Sequence, residues 1–175
     1  MIAEADSLHF GRMASLYFHM SGATHRDTLN ARALLEPIVV GLIAQKQDPA
    51  HIQMLKDYLE NAKTSMEGKL PQCSVDLSAE QQRALEFHAM LMSMVGNPVL
   101  TLIVRSLQDL RVDQMTGDGV HPEGNIDHVH SEIAQAIIDG RREDAERLMR
   151  EHMQDFIEYE ASNDPGYLEQ TVSWR

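Results

Sequence analysis

With one cysteine, Cys73, in 175 residues, the chain has no route to an intramolecular disulfide. That scarcity fits a reducing compartment, and a cytoplasmic location is expected. Long hydrophobic runs are also missing: no stretch approaches the roughly 20 apolar residues needed to span a bilayer. The N-terminus lacks the basic-then-apolar layout of a secretion signal, so neither membrane insertion nor export is expected. Basic side chains are few, 15 Lys and Arg against 27 Asp and Glu, for a net charge of −12. Nucleic-acid binding needs clustered cations to neutralise phosphates, so this chain is not expected to grip DNA by itself. Aromatic residues make up only 5%, which removes much of what strands use to pack.

What remains favours helices: 43% hydrophobic residues, including 11 methionines, mostly of strong helix-forming type. The length suits a single domain over residues 1–175. Apolar spacing is helical nearly throughout, with no sustained alternation. Glycine and proline divide it into helices expected over about 7–20, 26–45, 49–66, 79–95, 98–115, 126–139 and 142–161. Ser78 with Glu80 and Gln81 reads as a capping box, and Gly96-Asn97-Pro98 closes one helix and caps the next. Pro37 is expected to bend the second helix, whose apolar stripe of Leu35, Val39 and Leu42 also takes in Arg32. A linker carries Pro71 and Cys73, the stretch Thr116 to Asn125 is expected to be a mobile loop, and Gly140 sits in a short helical hairpin. The tail from Asp164 onward has no assignment.

Nine histidines are present, and His9, His19, His25, His51, His121 and His128 share no consistent apolar placement. Three others do. His88 lies on one face with Ala84, Leu91, Met92 and Val95. His130 shares a face with Ile133, Ala134 and Ile137, and His152 continues the stripe of Ala145, Leu148 and Met149 towards Phe156. A single inward histidine is ordinarily a core residue bonded to a carbonyl. Three that converged would instead satisfy their ring nitrogens by binding a transition metal. Spacing alone does not decide between these, because no pair has the i, i+4 separation of a local metal motif.

The order of Arg32, Leu35-Glu36-Pro37, Glu86-Phe87-His88, Gly96-Asn97-Pro98 and the run from His130 to Gly140, followed by Ala145, Met149 and His152, resembles the FCD ligand-binding domain of FadR-like GntR regulators. The resemblance implies an all-α fold, an antiparallel bundle of six to seven helices enclosing a central ligand or metal pocket, and a homodimer. It also implies metal ligands at His88, His130 and His152, with Zn²⁺ or Ni²⁺ the expected ion. Family members that bind metal carry an aspartate one turn before the first histidine. Ala84 stands there, so one anionic ligand is lost. Arg32 matches an arginine that faces the effector pocket in several such regulators and could grip a carboxylate through two parallel hydrogen bonds. The plainer alternative is an ion pair with Glu36 one turn on.

The function this implies is sensing: a small organic acid bound at or near the metal changes how two subunits sit and hence how the regulator binds DNA. Operator contact would need a winged helix-turn-helix, for which the residues before Ser7 are too few, and the sequence is expected to be a fragment. One alternative is a metal-free sensor of an apolar, fatty-acyl-like ligand, consistent with Ala84 and the many methionines. Another is a metal-dependent hydrolase. Enzymatic activity is not expected, because no inward carboxylate is anticipated near His88 to act as general base and no activated nucleophile is apparent.

Overall fold

A computed structural model describes residues 7–65, 79–112 and 126–174. The fold is all-helical, as expected. The described helices are α1 (Ser7–Met20), α2 (His25–Lys46), α3 (Pro49–Ser65), α4 (Ala79–Ser93), α5 (Pro98–Val112), α6 (Ile126–Ile138), α7 (Arg142–Asn163) and the four-residue α8 (Pro165–Leu168). The Ser78 cap, the linker with Pro71 and Cys73, the stretch 116–125, the His9 side chain and His121 lie outside the described residues.

Helix α2 sits centrally, packed on α7, α6, α5, α4 and α8. Its start is set by a capping box: Thr24 Oγ1 accepts from the Asp27 amide at 3.2 Å and Asp27 Oδ2 accepts from the Thr24 amide at 2.8 Å. Its end is set by Gln47 in the left-handed region (φ 49°). That conformation costs a non-glycine residue roughly 1 kcal/mol. The Gln47 side-chain amide offsets it by donating to the carbonyls of Ala44 at 2.9 Å and Ile137 at 2.7 Å, which ties the ends of α2 and α6 together. At the other junctions Gly22, Gly96 and Gly140 all take positive φ, the geometry that closes a helix most readily when no Cβ is present. Asn97 Oδ1 caps α5 by accepting from the amides of Val99 and Leu100.

The main core gathers Val39, Val40 and Ile43 of α2 with Phe87, Leu91 and Met92 of α4, Ile133 and Ile137 of α6, and Met149 and Met153 of α7. Each such side chain contributes roughly 1.5–3 kcal/mol on burial. One detail of α2 differs from expectation. Leu42 is 38% exposed and Ile43 is buried instead, because the inward line runs through Arg32, Glu36, Val39, Val40 and Ile43 rather than towards Leu42. Proline is accommodated within α2, which continues through Pro37.

The tail folds back over the α1–α2 junction. Val172 donates its amide to Ala23 at 2.9 Å and its carbonyl accepts from His19 Nδ1 at 2.8 Å, while Leu168 and Val172 are buried. Under this strap His25 is buried and stacks on Tyr167 with ring centroids 4.5 Å apart. Burial lowers the His25 pKa from the ordinary 6.5.

Two outcomes follow from this packing. Gly41 of α2 leaves no room for a larger side chain against α7: a Cβ there would lie 2.6 Å from Glu146 Cγ. Gly41→Leu is expected to lower stability by about 1–3 kcal/mol in urea unfolding, the usual cost of overpacking. The depressed His25 pKa means that the unfolded chain takes up a proton there before the folded one does. The stability contributed by neutral His25 is therefore complete above pH 6.5 and is lost as pH falls below it through the lower folded value. His25→Phe, which keeps a ring on Tyr167, should lose less stability than wild type between pH 7 and pH 5 in thermal melts.

Candidate metal centre

Three helices turn one imidazole each into the same spot. His88 on α4, His130 on α6 and His152 on α7 are all buried, each within the apolar stripe that its helical spacing implied. His152 Nε2 lies 3.2 Å from His130 Nε2 and 3.3 Å from His88 Nε2. One ring nitrogen from each residue falls within 4.8 Å of the others. The rings are held by their surroundings. His130 stacks on Phe87 with centroids 4.3 Å apart, and Phe87 packs in turn on Tyr58 at 5.0 Å.

This donor set fits a divalent transition metal. Two nitrogens bound to one tetrahedral Zn²⁺ at about 2.0–2.1 Å stand roughly 3.3–3.4 Å apart. The observed contacts of 3.2 and 3.3 Å already have that spacing. A ring nitrogen either donates or accepts, never both, so His152 Nε2 cannot bridge its two neighbours by accepting from one while donating to the other. A cation accepting all three lone pairs satisfies the cluster together. The three histidines could hold a metal, and they are the group of potential ligands that the described residues bring together.

Behind His88 stands a second layer. Glu36 Oε2 accepts from His88 Nδ1 at 2.6 Å, and Glu36 Oε1 accepts from Arg32 Nε at 2.6 Å. Arg32 is 1% exposed and Glu36 0%. Burial by itself would raise the carboxyl pKa, but the Arg32 charge, with the hydrogen bonds from His88 and Arg32, overcomes it and holds Glu36 well below the usual carboxylate range. Glu36 is therefore an anion that is fully removed from water. Arg32 Nη1 is buried too and has no hydrogen-bond partner among the described residues.

The candidate residues thus fall into one continuous array from Arg32 through Glu36 and His88 to His130 and His152. The ion pair between Arg32 and Glu36, the plainer reading of that arginine, is present. The expectation that no inward carboxylate stands near His88 is corrected: Glu36 touches it. In the sequence Glu36 stands out only as a partner for Arg32, since an i, i+4 pair of opposite charge usually lies on a solvated face. Both Glu36 oxygens are engaged, which leaves it poorly suited to take a proton from water. Ala84, buried one turn before His88, offers no ligand atom, and Glu86 faces solvent. Of the other described histidines, His19 bonds the tail, His25 stacks on Tyr167, and His128 is exposed beside Glu132.

Comparison with known proteins agrees with the sequence pattern. The FCD domain family matches residues 27–155, a span that contains Arg32, Glu36 and all three core histidines. Among solved structures, Streptococcus agalactiae GntR is similar to this chain at 20% identity and a TM-score of 0.49, over 75% of this chain and 57% of that one. The chain thus spans little more than half the length of that protein. No curated protein matches. With the family match running through the whole histidine array, the chain belongs to the FCD domain family.

Proposed function

We propose that this chain is the effector-sensing and dimerisation domain of a GntR/FadR-type transcription regulator. In this reading His88, His130 and His152 hold a divalent metal, Zn²⁺ or Ni²⁺, and a small organic acid binds at or near it. The observation that carries the reading is the convergence of three buried imidazole nitrogens on one point. The bound metal would supply a Lewis-acidic centre with open positions for carboxylate oxygens.

Charge supports an acidic effector. Three neutral imidazoles leave the charge of a divalent ion uncompensated, and Ala84 contributes nothing, so an incoming carboxylate would provide the missing anion. Arg32 supports it as well, because a buried guanidinium nitrogen without an acceptor costs roughly 1–3 kcal/mol of desolvation that a bound carboxylate would recover. On the outward face of α2, Leu34 and Ile38 stand one turn apart at 72% and 52% exposure. Apolar surface of this kind suits a second copy of the chain. DNA would be reached through a winged helix-turn-helix domain, and effector binding would act by favouring one arrangement of the two subunits over another.

Metal content measured by mass spectrometry on protein purified without a histidine tag should approach one Zn²⁺ or Ni²⁺ per chain and be lost in His130→Ala. Metal-free wild type whose melting temperature ignores added zinc would sink the metal reading in favour of an apolar-ligand sensor. Arg32 offers a separate check. Arg32→Met leaves Glu36 as a buried charge without its guanidinium, and unfolding in urea with chelator present should show a loss of about 3–5 kcal/mol, the usual cost of breaking a buried pair from one side. The double substitution Arg32→Met with Glu36→Gln should recover part of that loss.

A further inference from the structure

We infer that Glu36 is the positioning residue of the histidine cluster: its carboxylate holds His88 as the Nδ1–H tautomer and so aims the Nε2 lone pair at His130 and His152. This rests on the metal reading above for its consequence, but its geometry is independent of any ion. Glu36 Oε2 lies 2.6 Å from His88 Nδ1. A carboxylate whose other oxygen already accepts from Arg32 Nε can only accept at His88 as well, so Nδ1 carries a proton, and in the neutral ring Nε2 is left with the lone pair. The other oxygen is held by Arg32 at 2.6 Å, which fixes the carboxylate from the far side and with it the plane of the imidazole. The same bond raises the donor strength of Nε2, as carboxylate partners do behind metal-bound histidines. Ala84 removes a direct anionic ligand, so Glu36 is the carboxylate in contact with the cluster among the described residues, acting through one imidazole.

Glutamine at this position has nearly the same shape but satisfies only one neighbour at a time. With its oxygen towards His88, its NH₂ group meets the Arg32 donor. With its NH₂ towards His88, it demands the Nε2–H tautomer, which has no lone pair for a metal.

The test compares zinc affinity, by competition with a chromophoric chelator, in wild type, Glu36→Gln and Arg32→Met, well below each melting temperature. It is paired with long-range proton–nitrogen NMR of the metal-free wild type, which reports which ring nitrogen carries the proton. Glu36→Gln is expected to bind zinc about 10–100-fold more weakly. Arg32→Met removes the guanidinium that fixes and charges the carboxylate, so it is expected to weaken zinc binding too, but by less than Glu36→Gln, because Oε2 still faces His88. A Glu36→Gln affinity within twofold of wild type, or one weakened no more than that of Arg32→Met, would overturn the inference. The NMR arm needs no variant: His88 protonated on Nδ1 alone supports the assignment, and a proton on Nε2, whether alone or in an imidazolium, refutes it. Wild type that binds no zinc would defeat the metal reading, while the tautomer spectrum would still decide the positioning role.

Discussion

A carboxylate with no access to water, held between a guanidinium and an imidazole, is the constraint around which this bundle is arranged. An ionised Glu36 could not be buried alone, since the solvation lost amounts to several kcal/mol even after relaxation. It requires Arg32 from its own helix and His88 from α4, both within 2.6 Å. That requirement fixes how α2 is rotated about its axis. Turning Arg32 and Glu36 inward sends Leu34, Ile38 and Leu42 outward, where they are 72%, 52% and 38% exposed. Apolar residues lie on both faces of α2, so hydrophobicity alone does not select this rotation. The charged pair prevailed because it comes as a set: removing any one member leaves a buried charge or donor uncompensated. Buried ion pairs of this type are weak sources of stability compared with a well-packed apolar replacement, and their value here lies in orientation.

That orientation passes from helix to helix. Glu36 sets the His88 ring, and His88 meets His152 through Nε2 at 3.3 Å. His152 then meets His130 at 3.2 Å, and Phe87 stacks on the far face of His130. Helices α2, α4, α6 and α7 therefore share one polar spine inside an otherwise methionine- and aliphatic-rich core. A ligand that alters any member is felt by four helices at once, which is what a sensing domain needs if a small molecule is to change the relation between larger parts.

Much of this was legible before the structure, and the failures have physical causes. The three core histidines stood out because imidazoles in apolar stripes break the usual partition of polar and apolar residues. Helix junctions at Gly22, Gly96, Asn97 and Gly140 were readable because positive φ and side-chain capping each favour few residue types. Convergence of the histidines was not readable, since it depends on three interhelical angles that spacing does not encode. Glu36 was placed beside Arg32 correctly yet not beside His88, because a charge pair reads as solvated until a third partner 52 positions away justifies its burial. His25 was passed over for a similar reason: its cover comes from Tyr167 and the tail strap, a segment with no periodicity to announce it. The Thr24–Asp27 box, by contrast, was available as a Thr-x-x-Asp pattern and shifts the start of α2 by one residue.

The absent aspartate sharpens the chemistry of the site. A cation held by three neutral donors keeps its full charge in a poorly solvated place, and the Arg32–Glu36 pair behind His88 sums to zero. An anion must then come from outside if a divalent ion is to be held well. Water activation would require a base that can accept a proton, but the carboxylate touching the cluster has both oxygens engaged by Arg32 and His88. If the cluster holds a metal as proposed, the same array would suit capture of an acidic ligand better than hydrolysis. In the proposed reading, alanine at residue 84 would transfer the duty of charge compensation to the effector, so that metal and acid would each bind more tightly in the presence of the other.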